Sequence, residues 1–209
     1  MGTIGDLKVL INNQLNRGTI YDAVLGSYIA LAGKTIEANK TDDFEYMKKL
    51  VSVTGTAGVR TLALPSSRIK SFDTLRYLLA SGEYVHPTRV DPSFVSANLS
   101  GDPGYFWISG GDTIYFDDTP SRDITFEFIF SEFSDWDNFT DSSTNWLLDI
   151  GQNALLQQTL VYLAVADRDT TLLAMAGAEL TKALNILTGA DEAFAQSLRG
   201  NAPIYRGES

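Results

Sequence analysis

Cysteine is absent from this chain of 209 residues, so a disulfide framework and thiolate chemistry are both excluded. Histidine occurs once, as His86 directly before Pro87, a pairing that predicts a turn or strand-end role rather than acid–base chemistry. Basic residues are scarce: 16 Lys and Arg face 26 Asp and Glu, and the formal net charge is −10. That balance argues against gripping nucleic acid through its phosphates, though not against standing beside it. Long hydrophobic runs are missing as well. The most apolar stretch, residues 160–166, falls far short of the roughly 20 residues a membrane span needs, and Asp167-Arg168-Asp169 stops it. No basic-then-apolar leader opens the sequence, so synthesis and assembly in the cytosol are expected. No phosphate-cradling glycine loop, internal repeat or low-complexity tract is found.

What is present is helical at both ends. Thr3-Ile-Gly-Asp6 has the outline of a capping box, and Ile4, Leu7, Ile11 and Leu15 then share one helical face, with Gly18 ending the helix near Asn16. Thr19-Ile-Tyr-Asp22 repeats the device and predicts a second helix to about Ala38. In the C-terminal third, Asn145 leads into an apolar helix through 154–166, and a second helix is predicted over 170–187 with Gly189 as its stop. Residues 160–166 carry no charge on any side, and a helix apolar all round must be covered all round. The cover can come from the rest of the protein, from partner subunits or, as the weakest option, from lipid; partner subunits would make Leu155, Leu160, Tyr162, Leu163 and Ala164 a subunit interface.

Between the helices the pattern is β. Strand signals fall over 44–53, 59–64, 69–79 and 84–85, with Gly55-Thr-Ala-Gly58 as a turn and Asp91-Pro92 opening one helical turn through Ala97. The strongest is Tyr105-Phe-Trp-Ile108, then Ser109-Gly-Gly-Asp112, then Thr113-Ile-Tyr-Phe116, which reads as a hairpin. Ile124, Phe126, Phe128 and Phe130 alternate onto one face of a further strand. The polar stretch 134–144 reads as a solvated linker; its calcium-loop outline (Asp135, Asp137, Asn138, Asp141) has Phe139 and Trp146 where oxygen ligands belong. The fold class is therefore α+β: helical hairpins at both ends forming a four-helix domain (1–40 and 143–198), an inserted antiparallel β-rich domain (41–142) and an extended C-terminal tail (199–209).

Chemistry is thin. Asp117-Asp118 sits at a hairpin end beside Pro120, where Asp is ordinary turn chemistry. Tyr105, Trp107 and Tyr115 could stack on sugars, but alternating aromatics in a hairpin are more often cross-strand packing. No cofactor or metal is called for.

The order of these parts resembles the head-to-tail adaptor proteins of tailed bacteriophages over nearly the whole chain. The resemblance runs from the first hairpin through Arg60-Thr-Leu-Ala-Leu-Pro65-Ser-Ser-Arg68, Gly104-Tyr-Phe-Trp-Ile, Asp112-Thr-Ile-Tyr-Phe and Phe126-Glu-Phe-Ile-Phe-Ser-Glu-Phe133 to Thr144-Asn-Trp-Leu-Leu148. It implies a non-enzymatic virion protein, assembled in the host cytoplasm, that forms a dodecameric ring beneath the portal. Such a ring joins capsid to tail and continues the DNA channel, with DNA passing unbound and no membrane involved. The implied partners are further copies of itself, the portal protein and a tail or nozzle protein. The tail, with Arg199, Pro203, Ile204, Tyr205 and Arg206, is the implied portal-docking segment. Two other classes stay open: a carbohydrate-binding or host-recognition module using Tyr105, Trp107 and Trp136, and a hydrolase using an acid pair, which needs a pocket with raised carboxylate pKa values.

Overall fold

In the computed structural model, which describes residues 2–16, 20–39, 43–94 and 100–200, Thr3 caps the first helix reciprocally. The Asp6 amide donates to Thr3 Oγ1 at 3.1 Å, and the Thr3 amide donates to Asp6 Oδ2 at 2.9 Å. These bonds from Thr3, the backbone one first, hold the Asp6 carboxyl below its ordinary value. α1 then spans Ile4–Leu15 and buries Ile4, Leu7 and Ile11. Asn16 itself ends the helix, in the left-handed region at φ 50°, by donating its amide to the Asn12 carbonyl. The Gly18 stop and the Thr19 cap lie outside the described residues. α2 covers Asp22–Asn39.

The fold is α+β, with five α-helices among the described residues, and the chain divides into two compact units. One comprises residues 1–47 and 134–209, the other residues 48–133.

In the helical unit, Asn145 caps α3 (Trp146–Ile150) by accepting from the Leu148 amide at 2.9 Å. α4 spans Gln152–Asp167 and α5 spans Thr170–Gly200. α4 packs against α1, α2, α3 and α5. That arrangement settles who covers the apolar run. Leu155, Leu160, Leu163 and Ala164 are all buried within their own unit, each worth about 1.5–3 kcal/mol for the larger side chains. Tyr162 is half-buried and its hydroxyl lies 2.7 Å from Thr35 Oγ1. Four of the five residues read as an interface are thus core rather than surface, and Tyr162 is partly covered; the sequence shows that a helix needs cover but not that its own chain wraps it.

α5 also departs from expectation, running past Gly189 to Gly200 instead of ending near Leu187. A Cβ on Gly189 would meet nothing within 4 Å, so the glycine sits on the open face and merely weakens the helix. Beyond it, packing holds the helix on course. Tyr46, in the 3-10 turn Glu45–Met47, stacks on Phe194 with centroids 4.4 Å apart, and its amide donates to the buried Asp191 at 3.4 Å. The same recruitment explains why the expected strand over 44–53 begins only at Lys48.

Among the described residues the second unit is two four-stranded sheets. In chain order the strands are β1 Lys48–Gly55, β2 Thr61–Ala63, β3 Ile69–Leu78, β4 Tyr84–Val85, β5 Thr88–Arg89, β6 Tyr105–Ser109, β7 Thr113–Phe116 and β8 Ile124–Glu132. One sheet has the order β1-β8-β3-β4 and the other β2-β7-β6-β5. β1 and β8 pair antiparallel from Lys48 opposite Ser131 to Gly55 opposite Ile124. The β6–β7 hairpin turns on Gly110 and Gly111, at φ 71° and 83°, which only glycine takes without strain. Ile124, Phe126, Phe128 and Phe130 face inward as their alternation predicts and meet Leu62, Phe106, Ile114 and Phe116 from the other sheet. Phe116 stacks on Phe126 with centroids 4.7 Å apart. The unit is not wholly antiparallel: β5 pairs parallel with β6 over two residues, too short a match to leave a periodic signal. The helical turn expected from Asp91 is a 3-10 turn at Pro92–Phe94; the rest of it, to Ala97, lies outside the described residues.

Candidate assembly surfaces

The segment read as a solvated linker, 134–144, is a strap across the helical unit. Its anchor is Glu37 on α2, which is fully buried and collects four donors. The Ser134 amide and hydroxyl donate to it at 3.1 and 2.6 Å, Trp136 Nε1 at 2.9 Å and Trp146 Nε1 at 3.1 Å. A buried carboxylate is tolerated only with its lone pairs filled in this way. Trp136 is buried against α2, where a Cβ on Gly33 would stand under 3.0 Å from its ring. Trp136 is therefore core, unavailable to a sugar.

The strap's other acids bind α1 and α2. Asp137 pairs with Lys34 and Asp141 with Lys8, each at 2.6 Å, while the Ile4 and Gly5 amides donate to the carbonyls of Ser143 and Asp141 at 3.1 and 2.9 Å. Asp135 accepts from Asn138 at 3.1 Å. The calcium-loop acids are thus spread over separate partners rather than converging. Among the described residues no group of three or more His, Cys, Asp or Glu is placed to hold a metal.

Along the strap, α2 leaves an open groove of about 580 Å³. Ala23, Gly26, Ser27 and Ala30 line it with Trp136 and Phe139, and Lys8 and Lys34 stand on its rim. Val24 and Leu31 stay 45% and 47% exposed on the same helix. On α5 the most exposed large apolar side chains are Ile186 at 68% and Met175 at 65%, followed by Leu198 at 51% and Leu173 at 36%. Met175, Ala178, Lys182, Ile186 and Gly189 recur at three- and four-residue steps along one side, separate from the side that buries Ala176, Ala183 and Leu187. α2 and α5 both pack on α4 and have few contacts with each other. Neither face could be read from the sequence, because which side of an apolar helix is left bare depends on the packing.

In the sheet unit, Trp107 and Tyr115 stand across the β6–β7 ladder and stack at 5.7 Å, with the Arg60 guanidinium 5.3 Å from the Trp107 centroid. Those ring faces are turned on one another, as cross-strand packing predicts; Tyr105 is half-exposed. Asp117 accepts from the Gly104 and Tyr105 amides at 3.1 and 2.9 Å, a turn-anchoring role. His86 is exposed beside a cavity of about 180 Å³ lined also by Phe72, Asp73 and Arg89.

Tyr77 and Glu132 in this unit are shifted by their buried surroundings, and both are structural. Tyr77 is buried with its hydroxyl donating to the Pro103 carbonyl at 3.1 Å; burial, helped by Asp102, pushes it up to about 12. Glu132 is buried at the end of β8, where Lys49, Arg68 and the Ser66 hydroxyl converge on it. Burial works to raise its carboxyl, but the bonds from Lys49 and Ser66 and the neighbouring charges outweigh it and hold the group below its ordinary value.

Of the tail residues, Arg199 falls in the last turn of α5, and Pro203, Ile204, Tyr205 and Arg206 lie outside the described residues. No helix of the described residues is long and apolar enough to cross a membrane.

No curated protein matches the sequence. Among solved structures the chain is similar to one in the "Neck of empty GTA particle computed with C6 symmetry", at 16% identity over 74% of this chain and 76% of that one. At its TM-score of 0.28, that likeness carries no argument. The family model described as SU10 adaptor protein matches residues 2–203, which is nearly the full length. The chain belongs to that family, the SU10 adaptors of the phage head-to-tail joint.

Proposed function

We propose that this adaptor forms a ring beneath the portal, joins the capsid to the tail and continues the channel through which DNA leaves the head. The observation that carries the reading is family membership across residues 2–203. It is supported by uncovered apolar side chains on several helices, among them Val24 and Leu31 of α2 and Met175 and Ile186 of α5. A closed ring uses two different faces of each subunit, whereas a two-fold dimer uses one face twice. The ring is dodecameric in this reading, assembled in the host cytoplasm and carried in the virion. The segment beyond α5, with Pro203, Ile204, Tyr205 and Arg206 after Arg199, docks on the portal, and a tail or nozzle protein closes the other side. Each docking segment binds weakly, and many copies on one ring make the attachment firm. DNA slides past without being held, since a net charge of −10 repels phosphate. Carbohydrate binding finds no support: Trp107 and Tyr115 stack on one another and Trp136 is buried.

Electron microscopy of the protein mixed with its portal rings tests the proposal. The full chain should decorate portal as a second, coaxial ring. A chain ending at Gly200, where α5 ends, should keep its helical circular dichroism and melting temperature yet fail to co-sediment with portal. If the full chain leaves portal bare, the function falls; if the truncated chain decorates it equally well, only the docking segment is misassigned.

A further inference from the structure

We propose that the bare faces of α2 and α5 are the two halves of one contact: the α5 ridge of one copy lies in the α2 groove of the next. The inference rests on the ring reading above and names the surfaces that would close it.

Four features of the chain favour a second copy as the occupant. First, the faces belong to helices that both pack on α4 and scarcely touch each other, so one subunit cannot satisfy both internally. Second, their periods agree. On α2 the groove-lining Ser27, Leu31 and Lys34 step by four and three residues, with Val24 and Ala38 continuing the exposed row beyond the groove, and on α5 Met175, Ala178, Lys182, Ile186 and Gly189 step likewise. Such seams interlock when two helices cross at a shallow angle. Third, the shapes are complementary. The groove is floored by small residues, Ala23, Gly26 and Ala30, whereas the ridge carries the large Met175 and Ile186. The groove runs from Asp22 to Lys34, about 18 Å at 1.5 Å per residue, and the ridge from Met175 to Gly189, about 21 Å. Fourth, the charge within each seam already has a counter-charge beside it. Lys34 is paired with Asp137 and Lys182 with Glu179, each at 2.6 Å, so covering the seam strands no ion. A tail of unrelated sequence or a membrane surface would explain neither the shared period nor the presence of both halves on one chain.

The chain has no cysteine, so single cysteines can be placed without background. Leu31→Cys and Ile186→Cys alter exposed side chains, and circular dichroism would check that each variant folds. Treated with a short bis-maleimide, the double variant should give a ladder of dimers, trimers and larger species on a denaturing gel. Each single variant alone should stay monomeric, and mixing the two should give a dimer and nothing larger. A dimer from either single variant would mean like-with-like pairing and overturn the proposal. So would a double variant that gives no ladder, or cysteines that portal rings protect while no ladder forms. A complementation experiment needs no cross-linker. Leu31→Asp spoils the groove and keeps the ridge, and Ile186→Asp does the reverse. Each alone should lose self-association, and their mixture should recover one dimeric contact; absence of recovery in the mixture, where wild type associates, also overturns it. A ladder from protein that leaves portal bare would uphold these faces and sink the proposed function. Rings on portal without a ladder would do the opposite.

Discussion

Trp136 donates its indole N–H to Glu37 at 2.9 Å across 99 positions of the chain, and neither residue is open to solvent. The segment returning from the sheet unit is thereby tied to α2 by a group the sequence gives no reason to single out.

Replacing Glu37 with Ala removes one acceptor and strands four donors, from Ser134, Trp136 and Trp146. Unsatisfied buried donors cost about 1–3 kcal/mol each before relaxation, so we predict a loss of roughly 3 kcal/mol or more in urea unfolding. Glu37→Gln keeps the shape and one acceptor oxygen and should fall between. A Glu37→Ala protein as stable as wild type would show that water replaces the carboxylate and that the strap is held elsewhere.

Gly33→Ala sets two effects against each other. Alanine in a helix interior is favoured over glycine by about 1 kcal/mol. Here the added methyl would lie under 3.0 Å from the Trp136 indole, which must shift and give up its bond to Glu37. Overpacking of that kind costs about 1–3 kcal/mol, and the lost hydrogen bond adds to it. We predict net destabilisation, with changed tryptophan fluorescence; a rise in melting temperature would mean that the ring moves freely. At Gly189, where a Cβ meets nothing within 4 Å, the same change should stabilise.

Glu132 makes stability depend on pH in a defined direction. Its carboxyl is held below the ordinary value in the folded protein, so the unfolded chain takes up its proton first as pH falls. The contribution is fully present above the unfolded value, about 4.3, and is lost as pH drops through the folded one. Melting temperatures of wild type and Glu132→Gln should therefore be well separated at neutral pH and converge in acid. Parallel curves would remove Glu132 from the account.

Arg168 ends α4 in the left-handed region at φ 57°, donating its amide to the Ala164 and Val165 carbonyls. That conformation costs an L residue about 1 kcal/mol and glycine little. Arg168→Gly should raise the unfolding free energy by about 0.5–1 kcal/mol, part of it returned through the greater freedom of the unfolded chain. A loss would reveal that the Arg168 side chain does something the backbone does not.

What could be read in the sequence was what the chain settles locally. The Thr3–Asp6 box, the Gly110-Gly111 hairpin and the inward alternation of Ile124 to Phe130 each depend on residues within about ten positions. What could not be read depends on distant partners. Residues 134–144 are polar, hence the expectation of a solvated linker, yet Trp136 is buried because Glu37 and Gly33 lie far back in the chain. Gly189 fails to stop α5 because Tyr46 offers Phe194 a stacking surface. The apolar surplus at Leu160 to Ala164 shows in the sequence that cover is needed but not whether the chain's own helices or other subunits supply it, since composition does not say how many of those helices surround α4.

Lys48 and Ser131 face one another on the β1–β8 ladder, so the chain enters and leaves the sheet unit on neighbouring strands, about 5 Å apart. The insertion therefore works as a cassette. Its two ends need so little spanning that a tight turn of a few residues would close the gap, and a shorter loop costs less closure entropy than a long one. Residues 48–133 should be replaceable by such a turn, or by a different sheet, without restringing the helices. A helical frame that accepts exchange at one seam can keep one set of contacts fixed while another surface diverges freely.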